Sequence, residues 1–447
     1  MLSQEDNELL TRVGPGTLMG NLLRRYWVPA CLTSEIAEPD GEPLRVKLFG
    51  ERLVAFRDTE GKVGLLQEGC PHRGASLFFG RNEECGLRCP YHGWKFETDG
   101  QCVDQPSEVR PFANQIKARS YPTYESGGIV WTYMGPPEHK PPFRDFGTES
   151  LAPDEIMVSK EFIDCNFVQS LDGDLDTSHI SNLHQWHAIA DLPDQGTDRP
   201  GYPTNNDSLR FWRHDPKAII EIEEEYYGFR YVGLRRTPNG YRQARVYAYI
   251  MPFTAIISNP PFATRHLTIV PIDDHTTWRY SYTTQVNPNP RNIGGPPFFA
   301  VDNFPYVRFR STGVLERHYT KENNYQIDRE VQKNVSFTGV PEFRAQDLMV
   351  TETAQPTYDG FIYDRTQEHL GSGDLALLRM HQYLLNSARE LAANGTTPPG
   401  IGEYDYRSIR AAEKILAEGE DWRVLGTNDD PTVQESELAR QQQVSGK

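Results

Sequence analysis

Asn166 to His184 reads NFVQSLDGDLDTSHISNLH and gathers Asp172, Asp174, Asp176, His179 and His184 into thirteen residues, among apolar or small neighbours. Two neutral imidazoles and one carboxylate are the facial set that holds non-haem Fe(II) and leaves coordination positions open. On a continuous helix turning about 100° per residue, Asp172 and His179 fall within about 20° of each other, with Asp176 about 60° from His179. The step from His179 to His184 spans about 140°, so convergence of the two rings predicts a local break or π-bulge. Taken alone, the stretch reads more readily as a polar helix face that includes two histidines. What singles it out lies far upstream.

There the chain carries CPHRGAS from Cys70 and CPYHGW from Cys89, a C-x-H and a C-x-x-H separated by sixteen residues. Cys70, His72, Cys89 and His92 make a four-ligand set on two loops. Zinc accepts two thiolates and two imidazoles. So does a [2Fe–2S] cluster with two Cys on one iron and two His on the other. Zinc modules more often use C-x-x-C and H-x₃₋₅-H, and the mixed order here fits the second arrangement better. CPHRGASL and CPYHGWKF resemble the two loops of a Rieske ferredoxin domain. Cys31, Cys85, Cys102 and Cys165 fall outside the motif and read as ordinary thiols.

The elements that must position these residues follow from the rest of the chain. Its 447 residues leave room for two or three domains, and 33 prolines with 36 glycines point to loops and short strands. A formal charge of −16 argues against nucleic acid and anionic membranes as partners. No apolar run approaches a membrane span. MLSQEDNELLTRVGPG has no basic segment followed by an apolar core, so a cytoplasmic protein is expected. Residues 24–27 (RRYW) suit an opening strand or a subunit contact. From about 44, LRVKLFGERLVAFRDTEGKVGLLQ alternates with turn signals, as expected of a small antiparallel β-domain. IVWTYMG supplies a last strand, and the prolines of GPPEHKPPFRDFG form a linker. We expect domains at 1–145 and 146–425 and a polar, mobile tail at 426–447.

In the second domain, LAPDEIMVSKEFID predicts a strand before the Asp/His stretch. Between about 205 and 285, AIIEIEEEYYGFRYVGLRR, GYRQARVYAYIMPF, RHLTIVPID and TTWRYSYTTQ predict strands of one antiparallel sheet. Residues 286–345 read as long loop with short helix, of the kind that forms a lid. GDLALLRMHQYLLNSARELAANG and YDYRSIRAAEKILAEGEDW predict helices.

The Rieske pair followed by N-F-x-Q-x-x-D-G-D-x-D-x-x-H-x₄-H resembles the catalytic subunit of Rieske non-haem iron oxygenases. The resemblance implies an α+β chain: a small all-β Rieske [2Fe–2S] domain followed by a helix-grip catalytic domain, a curved antiparallel sheet gripping helices. It makes His179 and His184 ligands of a mononuclear Fe(II), with Asp347 in AQDLMVTETAQ as third ligand and Glu352 as runner-up. Asp176 would bridge a ligating His to the Rieske His92 of a neighbouring subunit, and Asp172 would stand behind the ligands. The implied assembly is a homotrimer or stacked hexamer. No G-x-G-x-x-G follows a strand and no P-loop occurs, so flavin and nicotinamide belong to a separate reductase.

MLSQEDNELLTRVGPGT and YDRTQEHLGSGD look most like the phthalate dioxygenase branch. An aromatic carboxylate needs a cation in an otherwise apolar pocket, and arginine suits it bidentately. Arg245 is the first candidate, Arg210 or Arg213 the second, with Thr177 as a hydroxyl donor. The expected reaction is cis-dihydroxylation of an aromatic acid of the phthalate-isomer type. The alternatives are monooxygenation or O-demethylation of a methoxylated or phenoxy acid and, from another class, a Rieske electron carrier without oxygenase activity.

Overall fold

The computed structural model describes residues 2–148, 156–185, 198–201, 203, 205–259, 263–284, 307–309, 312–340, 342–354, 362–431 and 433–434. Two short helices open the chain, α1 (Gln4–Thr11) and α2 (Leu18–Leu23), capped by Ser3 and Thr17 through their side-chain oxygens. Three small antiparallel sheets follow. β1 (Trp27–Leu32) pairs with a strand that arrives much later. β2 (Leu44–Leu48), β3 (Glu51–Arg57) and β4 (Val63–Gln67) form a meander. β5 (Arg81–Glu83), β6 (Gly86–Arg88), β7 (Lys95–Phe96) and β8 (Cys102–Asp104) form the second sheet. β9 (Thr123–Ser126) and β10 (Ile129–Tyr133) complete the third, in the order β1-β10-β9. The alternating stretch from 44 is thus β-structure, and IVWTYMG supplies β10. Arg24, Arg25 and Tyr26 precede β1 instead of opening it.

The catalytic half begins with β11 (Ile156–Ile163) and α3 (Phe167–Leu175), then α4 (Asn205–His214). β12 (Ile219–Glu225), β13 (Gly228–Arg236), β14 (Arg242–Ile250), β15 (Thr254–Asn259), β16 (Ala263–Pro271) and β17 (Thr277–Thr284) build the main sheet. A hairpin, β18 (Val307–Phe309) with β19 (Leu315–Arg317), leads to α5 (Arg329–Asn334), α6 (Phe343–Glu352) and α7 (Leu375–Asn394); β20 (Ala412–Leu416) follows. The sheet has eight strands, ordered β11-β17-β16-β15-β14-β13-β12, with β20 paired to β14. The small all-β domain followed by a sheet-and-helix catalytic domain is therefore the architecture of this chain. Among the described residues no helix is long and apolar enough to cross a membrane.

The second predicted helix, over 404–422, is not one. Its centre is β20, in register with residues 242–246 of β14. β15 covers β14 only at 248–250, so half of a nine-residue strand has an open edge. Tertiary pairing there outweighs the helical preference of AEKIL. Residues 205–214, read as the start of the strand region, are helical. Residues 286–306 of the lid expected at 286–345 and most of the tail expected at 426–447 lie outside the described residues, while 312–340 are not featureless loop but hold β19, a 3₁₀ segment and α5. The helix predicted around ALLRMHQYLL is α7, closed by Gly395 in the left-handed region.

One large apolar core joins α1, α2 and β1 to α3, α7 and the inner strands, through Leu10, Met19, Leu171, Tyr249 and Met380. A smaller one, with Phe56, Leu87, Trp94 and Phe96, lies beneath the two Cys/His loops. α3 is fixed at its start by Asn166. Its side chain caps Val168 N and donates to the carbonyls of Thr11 and Asp274. α6 lies directly against α3 at Gly173, where a Cβ would stand 2.8 Å from Thr351 Cγ2. A side chain there would push α3 away from α6, the helix that carries Asp347.

Candidate metal centres

The two Cys/His loops fold alike. Cys70 N donates to Ala75 O and Gly74 N to Cys70 O, both at 2.8 Å; Cys89 N donates to Trp94 O at 2.8 Å and Gly93 N to Cys89 O at 3.0 Å. Both thiols are buried on the small core. Both imidazoles are half-buried at the tip, ring centroids 4.5 Å apart, and Trp94 stacks on His72 at 4.5 Å. The set thus separates into a thiol pair inside and an imidazole pair outside. The donor atoms do not crowd one point. Among the described residues, only His179, His184 and Asp347 bring ligand atoms within 4.8 Å of one another. A single zinc would need all four atoms of the upstream set that close, whereas a two-iron cluster spans a thiol pair and an imidazole pair. The four residues therefore fit the [2Fe–2S] group. Cys31, Cys102 and Cys165 are buried and Cys85 is half-buried, all as free thiols.

The second centre depends on a break in the Asp/His stretch. The helix ends at Leu175, the local break that convergence of the two rings requires, and Asp176 is its C-cap, with extended backbone. The cause is local. The Asp176 carboxylate accepts from Ser178 N (2.6 Å) and His179 N (3.1 Å), in competition with the helical ladder. A 3₁₀ turn at His179–Ser181 follows, and it brings both rings to one side without a π-bulge. α6 supplies Asp347. Its Oδ1 stands 3.6 Å from His179 Nε2 and 3.0 Å from His184 Nε2.

The other ring nitrogens have partners that set the tautomers. His179 Nδ1 lies 3.2 Å from Asp176 Oδ2, and His184 Nδ1 lies 2.7 Å from Gln346 Oε1. Gln346 Nε2 in turn donates to Val340 O at 2.7 Å. Carboxylate and amide oxygens only accept, so each Nδ1 carries the proton and each Nε2 is free to ligate. Phe343 stacks on His184 at 4.6 Å. Arg344 stands 3.7 Å from Asp347 and donates to Glu161 at 2.8 Å.

Electrostatics agrees with a cation site. Burial alone would raise the carboxyl of Asp347, but His184, His179 and Arg344 outweigh it and hold the group well below the usual range. Asp176 is likewise lowered against burial, by His179 and two backbone N–H groups. Burial would lower His179, yet Asp176 and Asp347 carry it above its ordinary value. Two imidazoles and one carboxylate with open positions suit Fe(II).

The remaining predicted residues separate. Asp172 does not stand behind the ligands. Its carboxylate accepts from Arg365 Nη2 and pairs with His381 Nε2, each at 2.8 Å, tying α3 to α7. The helix break after Leu175 explains this, because Asp172 and His179 no longer share a helical face. Asp174 pairs with Arg279 at 2.9 Å. Glu352, the alternative third ligand, is five residues past Asp347 and faces away; it accepts from Tyr325 Oη (2.6 Å) and Arg317 (2.7 Å). A cavity of about 560 Å³ beside it contains none of the three ligands.

Arg245 is buried on β14, donates to Ser258 O (2.8 Å), lies 3.4 Å from Glu413 and covers Trp212 at 4.7 Å. Arg210 and Arg213 sit on α4, which packs on β13 and on the His179 turn. Thr177 is buried, its hydroxyl 2.8 Å from Tyr247 Oη. Sequence reasoning missed Gln346, Arg344 and Phe343. No spacing marks a glutamine that orients an imidazole 162 positions away.

Residues 26–124 match the family model described as Rieske [2Fe-2S] domain, and residues 132–445 match the one described as LigXa C-terminal domain like. The chain is 35% identical over 446 residues to the phthalate 4,5-dioxygenase oxygenase subunit of Pseudomonas putida, covering 95% of this chain and 94% of that one. It is 31% identical to the 5,5'-dehydrodivanillate O-demethylase oxygenase subunit of Sphingobium sp. (strain NBRC 103272 / SYK-6), over 90% of this chain and 84% of that one. A crystal structure of dicamba monooxygenase bound to dicamba shares the fold at TM-score 0.55 and 18% identity, covering 84% of this chain and all of that one.

Proposed function

The chain belongs to the Rieske non-haem iron oxygenases, as an oxygenase subunit of the phthalate dioxygenase-like branch, and from that premise we propose that it cis-dihydroxylates an aromatic carboxylate. It is an oxidoreductase whose cofactors are a [2Fe–2S] Rieske cluster and a mononuclear iron. When bound, the cluster supplies electrons singly and the iron offers open positions for dioxygen.

The chain's own residues do the rest. Cys70 and Cys89 would hold one iron of the cluster, and His72 and His92 the other. His179, His184 and Asp347 hold the mononuclear iron. Asp176 fixes the His179 tautomer and keeps about a fifth of its side chain in solvent. That exposure leaves it able to accept from a second imidazole, which we assign to His92 of a neighbouring subunit in a homotrimer or stacked hexamer. A separate flavin- or ferredoxin-type reductase delivers the electrons. We divide the chain near residue 145, with α1 and α2 packed on α7 of the catalytic part.

The observation that carries the substrate reading is the cation on the inner sheet face. Burial, Arg235 and Arg245 make that face receptive to a carboxylate, and Glu413 balances one of the two charges. Arg245 is the proposed anchor, with Arg210 and Thr177 as further substrate-binding residues. The demethylase relative favours a second reading, O-demethylation of a methoxylated aromatic acid.

Purified protein loaded with both metal groups, a surrogate reductase and NADH would be tested with phthalate, isophthalate, terephthalate and a methoxybenzoate. A product heavier by two oxygens and two hydrogens is the expected result. Release of formaldehyde would replace dihydroxylation by demethylation. Arg245→Ala should raise KM for the acids far more than for neutral analogues; an equal change would remove Arg245 from the pocket.

A further inference from the structure

The face of β13 and β14 turned toward the Asp176–His179 turn carries Tyr231 opposite Tyr247, Gly233 opposite Arg245, and Arg235 opposite Gln243. Side chains alternate along a strand, so these six share one surface. Three of them reach the short linker between α3 and the 3₁₀ turn. Tyr231 Oη donates to Leu175 O, and Arg235 Nη2 donates to Thr177 O. Tyr247 Oη bonds the Thr177 hydroxyl at 2.8 Å. Asp176 is therefore held on both flanks by groups of the sheet. Gly233 makes the approach possible, since a Cβ there would lie 3.0 Å from Thr177 Cγ2 and 3.1 Å from its Oγ1.

Tyr231 and Tyr247 also stack on each other at 4.9 Å and 9°. All three polar side chains are buried, so none of these bonds competes with bulk water. On its far side Tyr247 lies under Arg245, whose guanidinium carbon is 5.2 Å from the ring centroid. The contacts thus run from Arg245 through Tyr247 and Thr177 to the two residues that follow α3. A helix C-terminus with extended backbone has no ladder of its own to hold its direction. Here the sheet supplies that hold.

We propose that Tyr231, Arg235 and Tyr247 are positioning residues, a clamp that fixes Asp176 and His179 relative to the Arg245 end of the site. The proposal rests on the reading of His179 as an iron ligand and Asp176 as its partner. Its sharpest element is Tyr247, because one hydroxyl links the substrate side to the linker.

The test uses the full protein with both metal groups and four variants: Tyr247→Phe, Thr177→Val, the double variant, and Tyr249→Phe as control. Tyr249 lies two residues further along the same face of β14 but its hydroxyl donates to Pro252 O and not to the linker, so the control also loses one buried hydroxyl bond. Two quantities are read: the rate at which a chelator withdraws the mononuclear iron, and oxygen consumed per product formed. Loss of one buried hydrogen bond corresponds to a change of about fivefold. Tyr247→Phe and Thr177→Val should each release iron about fivefold faster and waste oxygen, the double variant no more than either, and the control neither. Control-like behaviour of Tyr247→Phe or Thr177→Val overturns the clamp while leaving the ligand assignment intact, and so does a double variant whose effect is the sum of the two. Should Tyr247→Phe fail to fold, Thr177→Val removes the same bond from the other side. Iron retained by His179→Ala would instead overturn the ligand reading, and the clamp with it.

Discussion

The two metal-binding regions are built on opposite plans. The Cys/His loops draw all four residues from one short stretch, 70 to 92, and each loop closes on itself through backbone hydrogen bonds. The His179–His184–Asp347 site draws on the turns that follow α3 and on α6, far apart in sequence, and its geometry depends on Asp176, Gln346 and a sheet face. A local site needs only its own loops to be right. A distributed site is correct only when the surrounding domain is, which makes it adjustable from many positions.

The plainest way to break that comparison is to empty each site separately. His179→Ala should lose the mononuclear iron and all product formation while the visible absorption of the cluster stays. Cys89→Ser should lose the cluster chromophore yet still take up mononuclear iron. Metal content and absorption spectra of both proteins check this. Joint loss in either variant would mean that the two regions fold as one unit.

A second variant sharpens it by separating structure from chemistry along α3. Asp172 is in contact with Arg365, which is fully buried, and with His381. Removing one partner of a buried pair costs about 3–5 kcal/mol, since the other charge is left uncompensated. Asp172→Ala should therefore lower the resistance of the catalytic domain to denaturant by about that much, with iron content at saturating iron unchanged. Asp176→Asn should do the reverse: both sites stay filled and product per oxygen collapses. If Asp172→Ala lost iron with its stability intact, Asp172 would belong to the site after all.

The same contrast governs what could be read from the chain. CPHRGAS and CPYHGW announce a complete ligand set because loop sites are written contiguously. His179, His184 and Asp347 follow from spacing and resemblance, and the structure brings them together. The place given to Asp172 comes from the resemblance alone, and its bonds to Arg365 and His381 depend on partners 193 and 209 positions away that no spacing marks. β20 was missed because its partner is a vacant edge on β14, a tertiary fact that AEKIL does not encode. Gln346 and Tyr247 leave no trace in spacing, since each acts through one oxygen on a segment distant in sequence.

The smallest expected effect concerns protons at the distributed site. In the iron-free protein, burial works to lower His179, but Asp176 and Asp347 hold its pKa above the ordinary value. A group raised on folding stabilises the native state fully below its unfolded pKa, about 6.5, and that contribution is lost as pH rises through the folded value. Asp347 and Asp176 are lowered on folding, so their contributions are present above the usual carboxylate range and lost only in acid. As pH rises above about 6.5 the iron-free protein should thus lose some stability as His179 deprotonates, with both carboxylates still charged. Iron needs His179 neutral, so its binding releases a proton and tightens as pH rises over the same interval. Asp176→Asn removes one of the two charges that raise His179 and should shift the onset of iron uptake to lower pH. Iron titrations of wild-type and Asp176→Asn protein across that interval check the sign. Coincident curves would mean that Asp347 alone sets the protonation of His179 and that Asp176 acts on the ring only through its direction.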